Sequence, residues 1–328
     1  MRERLEKNIQ LNLKNNNLQK TFIIDSFVGE GASCLVYDAK YIDELGIIRN
    51  VRIKELYPLE CKEVRNNHHI IWPNEDRKNY YIPQFENLYS RQIRFQNMAN
   101  ITNSSSQIID NIYEANNTKY IILDCANGKT FDKYQPNHLQ NIFEVILSLT
   151  KLVKKYHDNG YLMLDIKPEN FLTIDETNQL IKYLDFDSIL SLYIIKNNNM
   201  TDLSCSLKYA APELLRGDVS KIDKCSDIYS IGAILYKKIF DLDVTSNERS
   251  IGFNPNYNNK YFTNINPKIY KKLTSFFRKT LCNNSKRRYQ DCNEMIIDLE
   301  ELIEISNPNS CILLSSNIIQ KNYFVEII

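Results

Sequence analysis

Apolar residues recur at two different periods along this chain, and the change of period divides it. From residue 21 to about 123 the apolar positions fall in short runs: TFIIDSFV, CLVYDAKYI, IIRNVRIKEL, SQIIDNIYE and KYIILD. Runs of this length, rich in β-branched and aromatic residues, read as strands. They predict a small, mainly antiparallel N-terminal part. One segment interrupts them. In FENLYSRQIRFQNMANI, Phe85, Leu88, Ile93, Phe95, Met98 and Ile101 recur at helical spacing and predict a helix over 85–101. From residue 137 onward the helical period takes over. HLQNIFEVILSLTKLVKKYHDNG reads as an amphipathic helix stopped at Gly160, and CSDIYSIGAILYKKIF, NPKIYKKLTSFFRKTL and NEMIIDLEELIE follow it. Strands first and helices afterwards predict an α+β architecture. Residues 1–20 are polar and asparagine-rich and read as a helical or frayed extension. Residues 305–328 lie beyond the helical patterns, as a packed extension or the stub of a linker to an appended C-terminal domain.

Bulk composition narrows the class without fixing it. The 328 residues suffice for one two-lobed domain or two smaller ones, and 43% hydrophobic residues can build a sizeable core. A net charge of +1 argues against a general binder of nucleic acid or of membrane surfaces. Eight cysteines, at 34, 61, 125, 205, 225, 282, 292 and 311, form no CxxC pair, so reduced thiols in a cytoplasmic compartment are expected rather than a zinc or redox site. No apolar run reaches the roughly 18 residues of a membrane span, and the N-terminus lacks the apolar core of a signal peptide.

The chemistry concentrates in two short strings. Residues 161–172, YLMLDIKPENFL, hold a carboxylate (Asp165), an ammonium (Lys167) and an amide (Asn170) within one loop. After the strand-like LIKYLDF comes Asp185-Phe186-Asp187, which adds a second carboxylate. Phosphoryl transfer needs this inventory: a group to orient the acceptor hydroxyl, a cation near the moving phosphate, and oxygen ligands for magnesium. Upstream, VGEGASCLVYDAK sets Gly29 and Gly31 between two strand-like runs, where glycine lets the backbone approach phosphate oxygens. VRIK supplies Lys54 on the next strand. A lone GxG hairpin or an edge-strand lysine is weak by itself; the ordered set is specific.

That set resembles the eukaryotic-type protein kinases, and in particular the bacterial serine/threonine members, over roughly residues 22–303. The resemblance implies a two-lobed fold with an N-lobe over 21–123, a hinge over 124–128 and a mainly helical C-lobe over 129–304. It implies ATP and Mg2+ as cofactors, transfer of the γ-phosphoryl to a serine or threonine hydroxyl of a protein substrate, and a signalling role. Asp165 would orient the acceptor and Lys167 would stabilise charge on the phosphate. Asn170 and Asp185 would hold magnesium. Gly29, Gly31, Ser33, Val36 and Lys54 would grip ATP, with Leu123, Asp124 and Ala126 beside the adenine. Ala211-Pro212-Glu213 matches the motif closing the activation segment, its glutamate pairing Arg288, and Asp227 opens the DxxSxG helix that anchors the catalytic loop. Ser206 matches a hydroxyl that bridges the catalytic aspartate and lysine, and Thr201 and Ser204 are candidate autophosphorylation sites.

Departures from the pattern bear on activity. Cys34 replaces the third loop glycine, and Met163 and Leu164 stand where the family carries histidine and arginine. Without that arginine, a phosphate on the activation segment has no partner at this position. Asp187 replaces the glycine of DFG. The helix glutamate that should hold Lys54 has no clear counterpart: Glu86 is one candidate, and Gln92, Gln96 or a rearranged acid are the others. Two alternatives follow. One is a pseudokinase acting as a nucleotide-binding scaffold or regulatory module. The other is a small-molecule phosphotransferase of the aminoglycoside or choline type, disfavoured by Glu213 with Arg288.

Overall fold

Period-two alternation places the core of the first half. In the computed structural model, which describes residues 2–15, 18–99, 111–125, 128–175, 180–186, 188–197, 205–244, 257–262 and 265–307, contacts divide the chain into units 1–127 and 128–328. In the first, strands β1 (Gln10–Lys14), β2 (Gln19–Glu30), β3 (Cys34–Ile42), β4 (Ile48–Leu56), β5 (Tyr113–Ala115) and β6 (Thr118–Asp124) close into an antiparallel barrel, ordered β1-β2-β3-β4-β6-β5. Leu35, Tyr37 and Ala39 of β3, Val51 and Ile53 of β4, and Tyr120 and Ile122 of β6 fill its interior.

The same alternation puts Glu55 inside, with Val51 and Ile53. A buried carboxylate needs partners. Arg65 supplies two parallel bonds, Nη1 to Oε1 at 2.8 Å and Nη2 to Oε2 at 2.6 Å, and the Tyr120 hydroxyl donates at 2.9 Å. The charge nearby and the burial push the Tyr120 hydroxyl well above its ordinary range, burial first, so it remains a neutral donor.

Two expectations for this unit are corrected. The described residues of 1–20 are not a frayed or helical extension: β1 pairs with β2 from Gln10↔Ile23 to Lys14↔Gln19, and Leu5, Leu11 and Leu13 are buried. Leu11 and Leu13 are two apart, so one face of this otherwise polar stretch closes the barrel. The helix expected over 85–101 runs instead as α1, Glu75–Ala99, ten residues earlier at its start. Asn74 caps it by accepting from the Arg77 amide at 2.9 Å, and Glu75 and Asp76 favour the positive end of the dipole. Pro83, which reads as a boundary, sits within the helix.

The second unit is mainly helical. Helix α2 (Leu139–Asp158) buries Ile142, Phe143, Ile146, Leu149, Val153 and Tyr156 along one stripe and ends where Gly160 takes φ +78°. It packs on α5 (Lys224–Phe240), which follows the short helices α3 (Leu192–Asn197) and α4 (Pro212–Leu215), and on the helix Cys292–Ser306. Gly232 of α5 permits the approach of helix Lys268–Thr280, because a Cβ there would lie 2.5 Å from the Thr280 Cβ. Short strands β7 (Lys129–Thr130), β9 (Phe171–Asp175) and β10 (Leu180–Tyr183) form one small sheet, and β8 (Tyr161–Leu162) with β11 (Leu190–Ser191) another. Among the described residues no helix is long and apolar enough to cross a membrane, and the seven described cysteines are free thiols.

Leu13 is fully buried, so Leu13→Ala should destabilise the protein by about 2–4 kcal/mol, the range for a buried leucine. Urea unfolding checks this; a change within error of zero would return residues 10–14 to the status of a loose extension.

Candidate active site

Register sets several of the sequence-predicted site residues of the first unit in one row. Gly29 lies opposite Val36, Val36 opposite Lys54, and Lys54 opposite Ile121. Opposed residues of antiparallel strands share a face, so Gly29, Val36 and Lys54 line the outer face of the barrel while Glu55 points inward. Leu123, opposite Arg52, continues that face, and Asp124 ends β6. Ala126 lies outside the described residues. Among the described residues, chain neighbours apart, no heavy atom comes within 4 Å of where a Cβ would stand on Gly29 or Gly31, which leaves room for a ligand there. The Gly31 amide, however, donates to the Cys34 carbonyl at 2.9 Å. It is therefore not one of the loop's available donors. The amides of Ala32 and Ser33 meet no acceptor among the described residues, whereas the carbonyls of both receive bonds from the Leu59 and Tyr57 amides, at 3.1 and 2.8 Å.

Of the candidates to hold Lys54, Glu86 is engaged elsewhere. Glu86 accepts from Lys119 Nζ at 2.5 Å and is half-exposed. With α1 beginning at Glu75, Glu86 falls on its outer side, facing β6. Gln92 and Gln96, further along α1, are buried beside Phe95.

In the second unit the loop after β8 turns sharply. Leu164 adopts φ +63°, a region that disfavours a residue with a Cβ, and the Asp165 amide closes a three-residue turn on the Met163 carbonyl at 2.8 Å. Asp227, in the first turn of α5, holds this conformation. Its Oδ2 accepts from the Met163 amide at 2.8 Å, its Oδ1 from the Leu164 amide at 2.9 Å, and His157 Nε2 lies 2.8 Å from Oδ2. Met163 and Leu164 are buried, so methionine fills the histidine's packing place and the leucine lies within the protein.

Beyond the turn, Lys167 Nζ bonds Asp165 Oδ2 at 2.6 Å. Asp165 Oδ1 is buried and has no hydrogen-bond partner among the described residues. Asn170, in the short 3-10 turn Pro168–Asn170, donates Nδ2 to the Asp165 carbonyl at 3.1 Å, which leaves its Oδ1 as the remaining acceptor. Asp185 follows β10, half-buried; Asp187 lies outside the described residues, as do Thr201 and Ser204. Tyr183, which the sequence did not single out, completes the group. Its ring stacks edge-on against Phe186 at 5.5 Å, and burial first, then the Asp185 charge, drive its hydroxyl far above the ordinary range. It therefore serves Asn170 and the Asp165 carbonyl as a neutral hydroxyl.

The activation segment ends against the same helix. Arg288 meets Glu213 in two parallel bonds of 2.7 and 2.9 Å, both side chains fully buried, and Ser226 donates to Glu213 Oε1 at 2.7 Å. Burial alone would push the Glu213 carboxyl up. The bonds and charge of Arg288, helped by Ser226, outweigh it and hold the carboxyl below its ordinary range. Ser206 contributes its carbonyl, which accepts from the Tyr209 and Ala210 amides at 3.0 and 2.9 Å. Cys205 lies near the Asp165 carboxylate: burial, and then the charge of Asp165, raise its thiol.

Two outcomes follow from these buried groups. A group with a depressed folded pKa stabilises above its unfolded pKa and loses that contribution as pH falls through the folded value. Glu213 should therefore stabilise the protein fully at neutral pH and progressively less below about pH 4.3, the ordinary glutamate value. Arg288→Ala should cost about 3–5 kcal/mol at pH 7 by leaving a buried carboxylate unpaired, with the deficit shrinking in acid; urea midpoints at two pH values test both. Asp227→Ala should release the Leu164 turn, costing about 1–3 kcal/mol for each buried amide left without an acceptor, with accelerated exchange of the Met163 and Leu164 amides.

Comparison with known proteins agrees with this arrangement. A family model, protein kinase domain, matches residues 84–298, well over half of the chain, and includes Asp165, Asn170, Asp185, Glu213, Asp227 and Arg288. The chain is 24% identical over 226 residues to a probable serine/threonine-protein kinase, PknB, of Lactococcus lactis, covering 66% of this chain and 35% of that protein. It is 35% identical over 133 residues to calcium-dependent protein kinase 7 of rice (Oryza sativa), covering 39% of this chain and 24% of that protein. The chain thus spans about a third or less of the length of these curated relatives. Among solved structures, the apo form of PpkA-294 superposes with a TM-score of 0.63 at 22% identity, covering 92% of this chain and 99% of that one. The kinase domain of Mycobacterium tuberculosis PknI gives 0.54 at 14% identity, covering 92% and 100%. These likenesses establish the protein kinase fold, and together with the family match they make this chain a member of the protein kinase domain family.

Proposed function

We propose that this protein is a serine/threonine protein kinase that transfers the γ-phosphoryl group of magnesium-ATP to a hydroxyl of a protein substrate. The observation that carries the proposal is the state of Asp165: one carboxylate oxygen is held by Lys167, and the other is buried with no partner among the described residues. A buried acceptor in that state suits a hydroxyl that arrives with the substrate.

In this reading the acceptor oxygen bonds the γ-phosphorus as the bond to the β–γ bridging oxygen breaks. ADP leaves, and the hydroxyl proton passes to Asp165 Oδ1. Lys167 balances negative charge on the moving group. Lys54 would hold the α- and β-phosphates with Gly29, Gly31 and Ser33 over them, and Val36, Leu123 and Asp124 would line the adenine side, where the resemblance also assigns Ala126. Magnesium suits the donor set, since Asn170 Oδ1 and the Asp185 carboxylate are hard oxygens and phosphate and water supply the rest. It would neutralise charge on the β- and γ-oxygens.

Lys167, two residues after the aspartate, supports serine or threonine rather than tyrosine as acceptor, by resemblance. The free thiols support a reducing, cytoplasmic setting for the protein. The buried, left-handed Leu164 supports activity that does not depend on a phosphate paired at that position. Transfer from labelled ATP with magnesium, to the protein itself and to a basic protein acceptor, tests the proposal. We expect Asp165→Asn to lower the rate by about two to four orders of magnitude, the range for losing a positioned base, with ATP affinity retained. Wild-type transfer no faster than Asp165→Asn would turn the reading to a nucleotide-binding scaffold.

A further inference from the structure

The N-terminal residues do more than close the barrel. Arg2, almost wholly buried, lies against the glycine loop. Its Nη2 donates to the Gly31 carbonyl at 2.6 Å and approaches Glu30 Oε2 at 3.5 Å. Its Nη1 donates to the Tyr57 carbonyl and, at 3.4 Å, to the Ala32 carbonyl. The residues that follow are fastened to the barrel. Glu3 donates its amide to the Glu63 carbonyl at 2.7 Å and accepts from the Arg65 amide at 2.6 Å, and the Leu5 amide reaches the Tyr37 hydroxyl at 3.2 Å. The Arg4 guanidinium covers the Phe27 ring at 3.8 Å.

The consequence lies in peptide geometry. In a trans peptide the carbonyl of one residue and the amide of the next point in opposite directions. A donor behind the Gly31 carbonyl therefore turns the Ala32 amide away from Arg2. Arg2 and the Leu59 amide at the Ala32 carbonyl do the same for the Ser33 amide. These are the two loop amides that meet no acceptor among the described residues. Successive amides aimed to one side make a concavity for an anion. Gly31, at the start of this stretch, would otherwise let the first of these planes turn freely. The guanidinium also leaves a cation behind the loop, paired among the described residues with the part-exposed Glu30, and its Nε has no partner among them.

We propose that Arg2 is a positioning residue for nucleotide binding, holding the 31–33 peptides so that the Ala32 and Ser33 amides stay turned toward the phosphates. This rests on the reading of the loop as the phosphate site. The full chain would be titrated with magnesium-ATP and with adenosine, which offers no phosphates. Arg2→Ala should bind ATP about tenfold more weakly, the loss of roughly one charge-assisted bond, and adenosine unchanged. Arg2→Lys should recover part of the loss, because one ammonium replaces a two-pronged donor. Hydrogen exchange should quicken at the Gly31 and Leu59 amides, which bond the Cys34 and Ala32 carbonyls of the loop, while β4 and β6 keep their protection. Leu13→Ala, which loosens the barrel without touching the loop, should leave the preference for ATP over adenosine intact. Equal weakening of ATP and adenosine, or an unchanged preference in Arg2→Ala, would overturn the inference alone. A wild-type protein that binds adenosine no less tightly than ATP would overturn the phosphate reading of the loop, and this inference with it.

Discussion

Asp227 is the residue on which the catalytic loop depends. Left-handed backbone costs a residue such as leucine roughly 1–2 kcal/mol, and nothing in Leu164 itself offsets this. The offset comes from two buried amides that find acceptors only when the loop turns this way. Because the Asp227 carboxylate is wholly buried, it too needs its donors. Loop and carboxylate therefore stabilise each other, and either alone would be unfavourable. His157 extends the connection to α2, and its other ring nitrogen lies 3.5 Å from Cys292 Sγ at the start of the last described helix. Three helices thus meet at one carboxylate.

The neighbouring residue fastens the other functional segment. Ser226 accepts from the Asp223 amide in the capping box that opens α5 and donates to Glu213 at the end of the activation segment. Two consecutive residues in the first turn of one helix therefore anchor the catalytic loop and the Ala211-Pro212-Glu213 segment. A helix start suits this work, since its dipole favours negative groups and its backbone is already fixed by the cap. Displacement of α5 would move both segments together, which keeps Asp165 and the Tyr209 region in register.

How far these features could be read in the sequence depends on what made them visible. The DxKxxN string, the LIKYLDF strand, VRIK and the pairing of Glu213 with Arg288 were legible because their residue types and order are chemically constrained. Strand β1 was hidden: two leucines among asparagines are too short an alternation to outweigh a polar composition. The start of α1 was misplaced because the helical spacing was read from Phe85 onward, whereas the cap at Asn74 lies eleven residues earlier. Glu55 is a different kind of miss. Alternation with Val51 and Ile53 already put it on the inner face, but a carboxylate there is credible only once Arg65 is known to arrive. Glu86 failed for the converse reason, because helix position alone did not reveal that Lys119 is its neighbour.

The buried charges sort by completeness. Glu55, Glu213 and Asp227 have both carboxylate oxygens engaged, and each joins segments far apart in sequence. A carboxylate satisfied on both oxygens gains nothing from an arriving ligand, so such groups carry architecture. Asp165 differs in one atom. Lys167 fixes one oxygen and leaves the other in a buried position whose desolvation the protein has not offset. That imbalance disfavours the free protein slightly and favours whatever donor can reach Oδ1. Differential stabilisation of this kind is what a catalytic group requires, because the interaction is realised with the reacting partner rather than before it arrives. Asp227 makes the imbalance tolerable, since its bonds to the Met163 and Leu164 amides fix the turn that carries Asp165.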